Sequence, residues 1–322
     1  MSSVTLPDLD AEYRQVREEC GLLAGATRDW IEVTGPDASE YLQSQVTNET
    51  EDLATGSGTY AALLDRKGHL QADMRILRLD DESFLLDTEP AAGPALLKHL
   101  GMYKIGRKVE VEGTERSLLS LVGPGSVEVT GLAPGVENDF TEATIAGAEC
   151  LVVVTANGLD VICAPEAEDA VRTQLEADRA VPVSEAAAEI LRVESGRPRF
   201  GIDMTEENMP AEAGIVERAV SFTKGCYIGQ EPVARLHYKG RPNRHLRGLK
   251  LAGPVSPGDP VQLDEKPLGE IGTAVLSPAS GRIALAILRK EAEPGSTVSV
   301  ETGEGPVEAQ VVELPFVEGF AT

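Results

Sequence analysis

A cationic segment at residues 218–250 holds the side chains best suited to chemistry. It carries eight Lys or Arg residues, two His and a single acid, Glu231, whereas the whole chain of 322 residues has a formal net charge of −24. The run KGCYIGQEPVAR (224–235) within it combines a cysteine with two glycines and a glutamine. Because a local excess of positive charge attracts anions, we expect this face to bind one.

Cys226 is the candidate reactive group of this segment. The basic neighbours Lys224 and Arg235 favour the thiolate, which is the nucleophilic and metal-binding form of cysteine. Gly225 and Gly229 allow the backbone to approach a ligand closely. A small buried cysteine in a tight loop is the structural alternative. The residues leave a nucleophile, a redox sensor and a transient iron–sulfur ligand open, although one cysteine alone cannot hold a cluster.

The composition indicates a salt-adapted, acidic surface. The chain has only nine Lys but twenty Arg, few aromatic residues and 32 Gly. An acidic mesophilic protein is the alternative. The acidity disfavours bulk nucleic-acid binding, although segment 218–250 leaves contact with RNA or with an acidic partner open. Tyr227 and Tyr238 are too few aromatics for a single-strand stacking platform.

Other sequence features bear on the compartment. The four cysteines have neither disulfide-framework nor metal-ligand spacing, so we expect no bound metal. The start MSSVTLPDLDAEY resembles no signal peptide, and no apolar run reaches the roughly 20 residues that a membrane span needs. We therefore expect a cytoplasmic monomer without membrane contact.

The elements that would position these residues can be read from local pattern. The turn DRKG (65–68) joins two alternating stretches, 58–65 and 70–79, which predicts a β-hairpin. A helical pattern over 184–194 ends in RVESG. After about residue 240 helical patterns vanish and six short strands alternate with turns, which predicts a small antiparallel barrel or sandwich. The fold class is therefore α+β with a β-rich end.

The same residues resemble a known family. KGCYIGQE followed by VAR is similar to the signature of YgfZ-type folate-binding proteins, which are relatives of the T-protein (aminomethyltransferase) of the glycine cleavage system. The opening EYRQVREECGLLAGATRDWIEVTG is closer to the T-protein style. Further matching blocks are WIEVTGPDASEYLQSQVTNE (30–49), YAALLDRKGHLQADMRILRL (60–79), LRVESGRPRFGIDM (191–204) and ELPF (313–316).

The resemblance implies a GcvT/YgfZ-like ring of three domains around a hole that accepts tetrahydrofolate. Residues 1–238 would form two interleaved α+β domains that bind folate. Residues 239–322 would form the C-terminal antiparallel β-barrel, which agrees with the change of pattern near 240.

The resemblance also assigns folate-binding residues. Glu194 lies in the RxExG block that places a carboxylate on the pterin, whose N–H edge can donate two parallel hydrogen bonds; a solvated helix-end glutamate is the alternative. Tyr60 would line the pocket, or would be an ordinary strand residue of the core. Arg192, Lys224 and Arg235 complete the expected folate contacts.

Asp73 marks a departure from the T-protein pattern. T-proteins carry two adjacent Asp near the end of a G-x-x-x-D-D strand, whereas this chain has Ala72-Asp73. One-carbon transfer needs general acid/base help or cation stabilisation at the accepting nitrogen, so losing the catalytic acid would weaken it. We expect Asp73 either to act in catalysis at the folate, or only to pair with Arg75 or Lys67 on the surface.

Two functions follow from the resemblance. The first is a tetrahydrofolate-binding protein of YgfZ type that supports iron–sulfur cluster assembly or repair, with assembly proteins or client enzymes as partners. The alternative is a tetrahydrofolate-dependent aminomethyltransferase or a related methyltransferase. The pair Ala72-Asp73 and the motif KGCYIGQE favour the first, and the N-terminus favours the second.

The salt-adapted surface makes a prediction about stability. Raising KCl from dilute to molar concentration should raise the melting temperature by several degrees, because salt screens repulsion among the surface acids. An uncharged osmolyte at equal osmolality is the control. A melting temperature that does not depend on KCl would contradict a salt-adapted surface.

Overall fold

The computed structural model of the chain describes residues 8–132 and 135–317. Its strands are β1 (Gly21–Ala24), β2 (Asp29–Thr34), β3 (Gly58–Leu64), β4 (Leu70–Arg78), β5 (Ser83–Thr88), β6 (Glu110–Thr114), β7 (Ser117–Val122), β8 (Phe140–Ile145), β9 (Ala148–Thr155), β10 (Gly158–Cys163), β11 (Val181–Pro182), β12 (Arg244–Leu251), β13 (Pro260–Leu263), β14 (Lys266–Ser277), β15 (Gly281–Arg289), β16 (Thr297–Thr302) and β17 (Gly305–Val312). Its α-helices are α1 (Leu9–Glu18), α2 (Ala38–Gln45), α3 (Gly93–Tyr103), α4 (Ser126–Thr130), α5 (Glu168–Ala177), α6 (Glu185–Glu194), α7 (Val216–Ala219) and α8 (Gln230–Lys239).

The described residues divide into two compact units. Unit 1 contains 8–27, 115–132 and 135–192, and unit 2 contains 28–114 and 193–317. Helices combined with mostly antiparallel sheets confirm the α+β class that the sequence predicts. The predicted boundary at 238/239 stays a prediction. No helix in the described part of the chain is both long and apolar enough to cross a membrane.

Unit 1 is built on a six-stranded sheet with the order β11–β1–β7–β10–β9–β8. Its apolar core includes Cys20, Cys150 and Cys163, which are all buried. Because they are buried in this core, these three cysteines contribute to its packing.

Helix α1 begins at the cap Asp8, whose carboxylate accepts a hydrogen bond from the Ala11 amide at 3.3 Å and so satisfies one free N–H of the first turn.

Unit 2 contains a five-stranded sheet with the order β3–β4–β5–β2–β6. The predicted hairpin is confirmed: β3 pairs antiparallel with β4, and Tyr60 lies opposite Arg75. The turn between them is held by Asp65 Oδ1, which accepts hydrogen bonds from the amides of Lys67 and His69, both at 2.8 Å. This hairpin positions both Tyr60 and Asp73.

Strand β4 presents different chemistry on its two faces. Successive side chains of a strand point to opposite sides of the sheet. Ala72 and Met74 are fully buried in the apolar core of unit 2. Asp73 and Arg75 point the other way, toward the side chain of Tyr60. The position at which T-proteins carry the additional aspartate therefore faces apolar packing in this chain.

Unit 2 also contains a closed antiparallel barrel with the order β12–β15–β14–β13–β16–β17. This confirms the barrel that the strand pattern after residue 240 predicts. Inward-facing side chains such as Leu249, Ala284 and Val300 are fully buried in its core. Closure leaves no sheet edge unpaired.

Some elements differ from the sequence-based expectation. The sequence predicts a glycine-flanked loop for the run KGCYIGQEPVAR, but the second half of this run forms the start of helix α8. Gly229 caps this helix with a φ of +81°, and Pro232 sits in its first turn, where a missing N–H costs nothing. Strand β8 is not predicted because most of its side chains are exposed or half-exposed, which leaves no clear apolar alternation.

Candidate functional site

The carboxyl group of Asp73 is buried on the hairpin, with only 8 % of the residue exposed. The Tyr60 hydroxyl donates a hydrogen bond to its Oδ2 at 2.7 Å. Its Oδ1 is buried and accepts no hydrogen bond from any described residue. Thr88 Oγ1 donates to the Asp73 backbone carbonyl at 2.6 Å and fixes the strand here. The expected alternative of a surface pair with Arg75 or Lys67 is therefore wrong.

The guanidinium group of Arg218 lies next to the Tyr60–Asp73 pair. The Arg218 guanidinium carbon is 4.8 Å from the centroid of the Tyr60 ring. The side-chain amide of Asn48 donates to the backbone carbonyls of both Tyr60 and Arg218, each at 2.9 Å, and so ties the two segments together. Asn48 and Arg218 lie 170 residues apart, which local sequence pattern does not reveal.

An ionic cluster of buried Asp87 and Arg75 with half-buried Arg28 and Glu89 completes this face. Arg28 Nη2 lies 2.7 Å from Asp87 Oδ1, and Arg75 Nε lies 2.6 Å from Asp87 Oδ2. Arg28 Nη1 also contacts Glu89 Oε1 at 2.6 Å. Burial alone would raise the pKa of Asp87, but Arg75 and Arg28 outweigh it and hold that pKa below its ordinary value.

Asp73 has the opposite electrostatic character. Burial raises the pKa of Asp73 above its ordinary value of 3.8, and the Tyr60 hydrogen bond, Arg28 and Arg218 only partly offset this. Burial and the nearby Asp73 charge also raise the pKa of Tyr60 well above its ordinary value, so its hydroxyl remains a donor. Two carboxyl groups with diverging pKa values, Asp73 and Asp87, are typical of sites that perform acid/base chemistry.

Glu194 ends helix α6 and is only 1 % exposed, which is at odds with the expected alternative of a solvated glutamate. The Ser277 hydroxyl donates to Glu194 Oε1 at 2.5 Å. Ser277 Oγ in turn accepts hydrogen bonds from the amides of Ala279 at 3.1 Å and Ser280 at 2.9 Å, so its proton is directed to Glu194. The backbone carbonyl of Glu194 also accepts from the Phe316 amide at 2.8 Å.

Arg192 and Lys224 make contacts within the protein. Arg192 pairs with Glu189 on the same helix through Nε–Oε2 at 2.8 Å and Nη2–Oε1 at 2.6 Å. The Lys224 ammonium donates to the carbonyls of Val46 at 2.8 Å and Asn48 at 2.6 Å. Burial lowers the pKa of Lys224 to about 8. Lys224 thus supports the chain around residues 46–48, and its charge is not displayed at the surface as the sequence suggests.

Arg235 and Cys226 both lie at the surface of unit 2. Cys226 is exposed, in contrast to the three buried cysteines. Arg235 lines a groove of about 560 Å³, which we call the α8 groove. Its lining consists of Arg66, Met209, Glu231, Pro232, Arg235, Leu236, Lys239 and Gly240. Among the predicted site residues, the structure thus brings Tyr60 and Asp73 into direct contact and places Arg235 with other groove residues.

Sequence reasoning missed several residues around these carboxylates. Arg218 lies in the basic segment 218–250 and Arg28 in the T-protein-like opening, but neither block assigns a role to its arginine. Ser277 was missed because it lies 83 residues from Glu194. Each acts through a long-range contact, for which a single sequence carries no signal.

Two family models match successive parts of the chain. The family model "GCVT N-terminal domain" matches residues 3–224, and "Glycine cleavage T-protein C-terminal barrel domain" matches residues 244–318. The chain therefore belongs to the glycine cleavage T-protein family. The wider family resemblance is confirmed, whereas membership of the YgfZ branch and salt adaptation stay predictions.

The relatives carry the name of the transferase branch. The aminomethyltransferase of Staphylococcus carnosus is 27 % identical over 328 residues, which cover 96 % of this chain and 90 % of the relative. That of Rubrobacter xylanophilus is 30 % identical over 325 residues, covering 96 % and 86 %. The crystal structure of glycine cleavage system aminomethyltransferase T from Bartonella henselae superposes with a TM-score of 0.86 at 24 % identity, covering 96 % of this chain and 89 % of that one. This last likeness concerns the fold alone.

The exposure difference predicts the order of cysteine reactivity. Cys226 should be alkylated by iodoacetamide at neutral pH much faster than the other three cysteines. Burial raises the pKa of Cys20 and Cys163 from 9.0 to about 11, which lowers their thiolate fraction ~100-fold, and it also raises the pKa of Cys150. Mass spectrometry of the native protein measures the rates, and Cys226→Ser serves as control. Equal rates at all four positions would contradict the assignment.

Proposed function

We propose that the chain transfers an aminomethyl-derived one-carbon unit to tetrahydrofolate, with Asp73 as the catalytic carboxyl group. The observation that carries this proposal is the buried Asp73, whose pKa is raised and whose Oδ1 has no hydrogen-bond partner among the described residues. Membership of the T-protein family and the names of its two relatives support it. A carboxyl group whose pKa is raised by burial retains its proton to higher pH, which suits a general acid.

The residues present fit a folate. Leaving a buried acceptor without a donor costs about 1–3 kcal/mol, so a ligand N–H that reaches Asp73 Oδ1 would bind favourably. Glu194 offers a second buried carboxylate, which suits the amidine-like N–H edge of a pterin. Tetrahydrofolate, when bound, would supply the nitrogen that accepts the one-carbon unit.

The surrounding side chains define what Asp73 can do. Tyr60 holds Oδ2 by its hydrogen bond, which leaves Oδ1 as the reactive oxygen. The positive charges of Arg28 and Arg218 moderate the effect of burial, so the carboxyl group is able both to give up and to take back a proton. Asp73 thereby serves as general acid/base or stabilises positive charge that develops on the substrate nitrogen.

The substitution of the neighbouring acid by Ala72 is compatible with this role. Ala72 is fully buried in the apolar cluster, whereas Asp73 lies on the face that carries Tyr60. An acid at 72 would lie among apolar side chains, where ionisation is strongly unfavourable. Asp73 is therefore the aspartate of the pair whose surroundings suit catalysis. Alanine at position 72 is thus a weaker reason to prefer a YgfZ-type protein over a transferase.

A second candidate function remains because Cys226 is exposed within KGCYIGQE. In this reading the chain binds tetrahydrofolate but supports iron–sulfur cluster assembly through contacts with assembly proteins or client enzymes. A third role, as a related methyltransferase, would use the same folate site. Direct assay of aminomethyl transfer separates these functions.

The central prediction concerns Asp73→Asn. In a glycine-cleavage assay with lipoyl carrier protein and tetrahydrofolate, the variant should lose ~10²–10⁴-fold in kcat, the usual contribution of a general acid or base. Exposed Asp81→Asn is the matched control and should retain full activity.

The same variant should not lose stability. Because the pKa of Asp73 is raised on folding, the folded state takes up a proton between pH 3.8 and the raised value, and stability falls as the pH rises through that interval. The uncharged amide removes this cost, so the melting temperature at neutral pH should stay the same or rise. Full transferase activity in Asp73→Asn would refute the role of Asp73. No transfer by the wild-type chain, together with measurable folate binding, would favour the second candidate.

The Ser277–Glu194 contact makes a separate prediction about folate affinity. Glu194→Ala should weaken tetrahydrofolate binding by about 1.5–3 kcal/mol and Ser277→Ala by about 1 kcal/mol, because Ser277 orients the Glu194 carboxylate. Calorimetry of the double variant should show no additional loss from Ser277→Ala. Ser299→Ala removes a comparable hydrogen bond of 2.8 Å to Glu301 in the same barrel and should leave affinity unchanged. Unchanged affinity in Glu194→Ala would remove this pair from the site.

A further inference from the structure

The α8 groove is a concave site in unit 2. Its volume of about 560 Å³ lies within the range of about 300–1,000 Å³ that is usual for small-molecule sites. Its walls come from the hairpin turn at Arg66, from Met209 and from helix α8. The residues that form the contacts around Asp73 and Glu194 are not among its lining residues.

The shape of this groove is set by close backbone packing. Gly229 has a φ of +81°, and a side chain there would collide with the carbonyl oxygen of Asp65. Gly68 has a φ of +84°, and a Cβ atom there would lie 3.2 Å from side-chain carbons of Pro232. Two glycines therefore let the hairpin turn pack directly onto the start of α8, which holds Arg66 beside the helix.

Positive charge converges on the groove. Arg66, Arg235 and Lys239 line it together with one acid, Glu231. Residues 231, 235 and 239 recur every four positions and so share one face of α8. Across the described residues, no ion pair or side-chain hydrogen bond occupies any of the three cations. In a chain with 53 acids and 29 Lys or Arg, cations would ordinarily find acidic partners.

We propose that the α8 groove binds a small phosphate monoester that carries an apolar body. Three cations and one acid give the lining a net charge of +2, which matches the charge of about −1.5 to −2 on a phosphate monoester. Arginine guanidinium groups suit phosphate oxygens, which they bind in pairs. Met209, Pro232 and Leu236 provide apolar surface for the remainder of the ligand.

The charge of the whole chain favours a small ligand over a macromolecule. A net charge of −24 repels an extended polyanion such as RNA along most of the surface. A small dianion meets only the local positive field of the groove. This site goes beyond the proposed transferase function and does not depend on it.

Calorimetry of the full chain at moderate salt tests the proposal with three probes: adenosine 5′-monophosphate, inorganic phosphate and adenosine. The monophosphate should bind most tightly, because it uses both the cations and the apolar wall. Inorganic phosphate should bind more weakly, and adenosine should bind weakest. Arg235→Gln and Arg66→Gln should each raise the Kd for the monophosphate ~10-fold, as expected for loss of a charge-assisted hydrogen bond.

Matched variants make the test specific to the groove. Arg282→Gln removes an exposed cation of the barrel and should leave the Kd unchanged, while Glu231→Gln should lower it. The proposal is overturned if neither the monophosphate nor phosphate binds, or if Arg235→Gln and Arg282→Gln have equal effects. It is also overturned if adenosine binds as tightly as the monophosphate, or if a short RNA binds where the monophosphate does not.

Discussion

The burial of one carboxyl group, that of Asp73, is the constraint on which the account of this protein depends. Taking a carboxyl group out of water is unfavourable for its charged form, and the hydrogen bond from Tyr60 and the charges of Arg28 and Arg218 only partly compensate. The neighbouring Asp87 is equally enclosed but is held charged by two guanidinium groups. One sheet therefore presents two acids whose pKa values are shifted in opposite directions, and the proposed proton transfer rests on Asp73.

Strand geometry decides which position can take this role. Because side chains alternate across a sheet, Ala72 belongs to the apolar core and Asp73 to the polar face. A one-residue difference in the T-protein pattern is thus compatible with retained chemistry. The family membership and the aminomethyltransferase relatives agree with that reading more readily than with a protein that only binds folate.

The sequence predicts those parts of the structure that depend on local pattern. The hairpin follows from Asp65 and Gly68 between alternating stretches, and the barrel from regularly spaced strands and turns after residue 240. It does not predict contacts that join distant segments, such as Ser277 with Glu194 or the anchoring of Lys224 on the carbonyls of residues 46 and 48. Glycines and a proline make the start of α8 read as a loop, although Gly229 is its cap. Burial that arises only from tertiary packing leaves no periodic signal.

The most direct test of the central claim is carbon-13 NMR of the Asp73 carboxyl carbon, assigned by its loss in Asp73→Asn. We expect this carbon to titrate above pH 3.8 in the free protein and its resonance to shift when tetrahydrofolate is added. Titration at or below the ordinary aspartate pKa, with no change on addition of tetrahydrofolate, would contradict it.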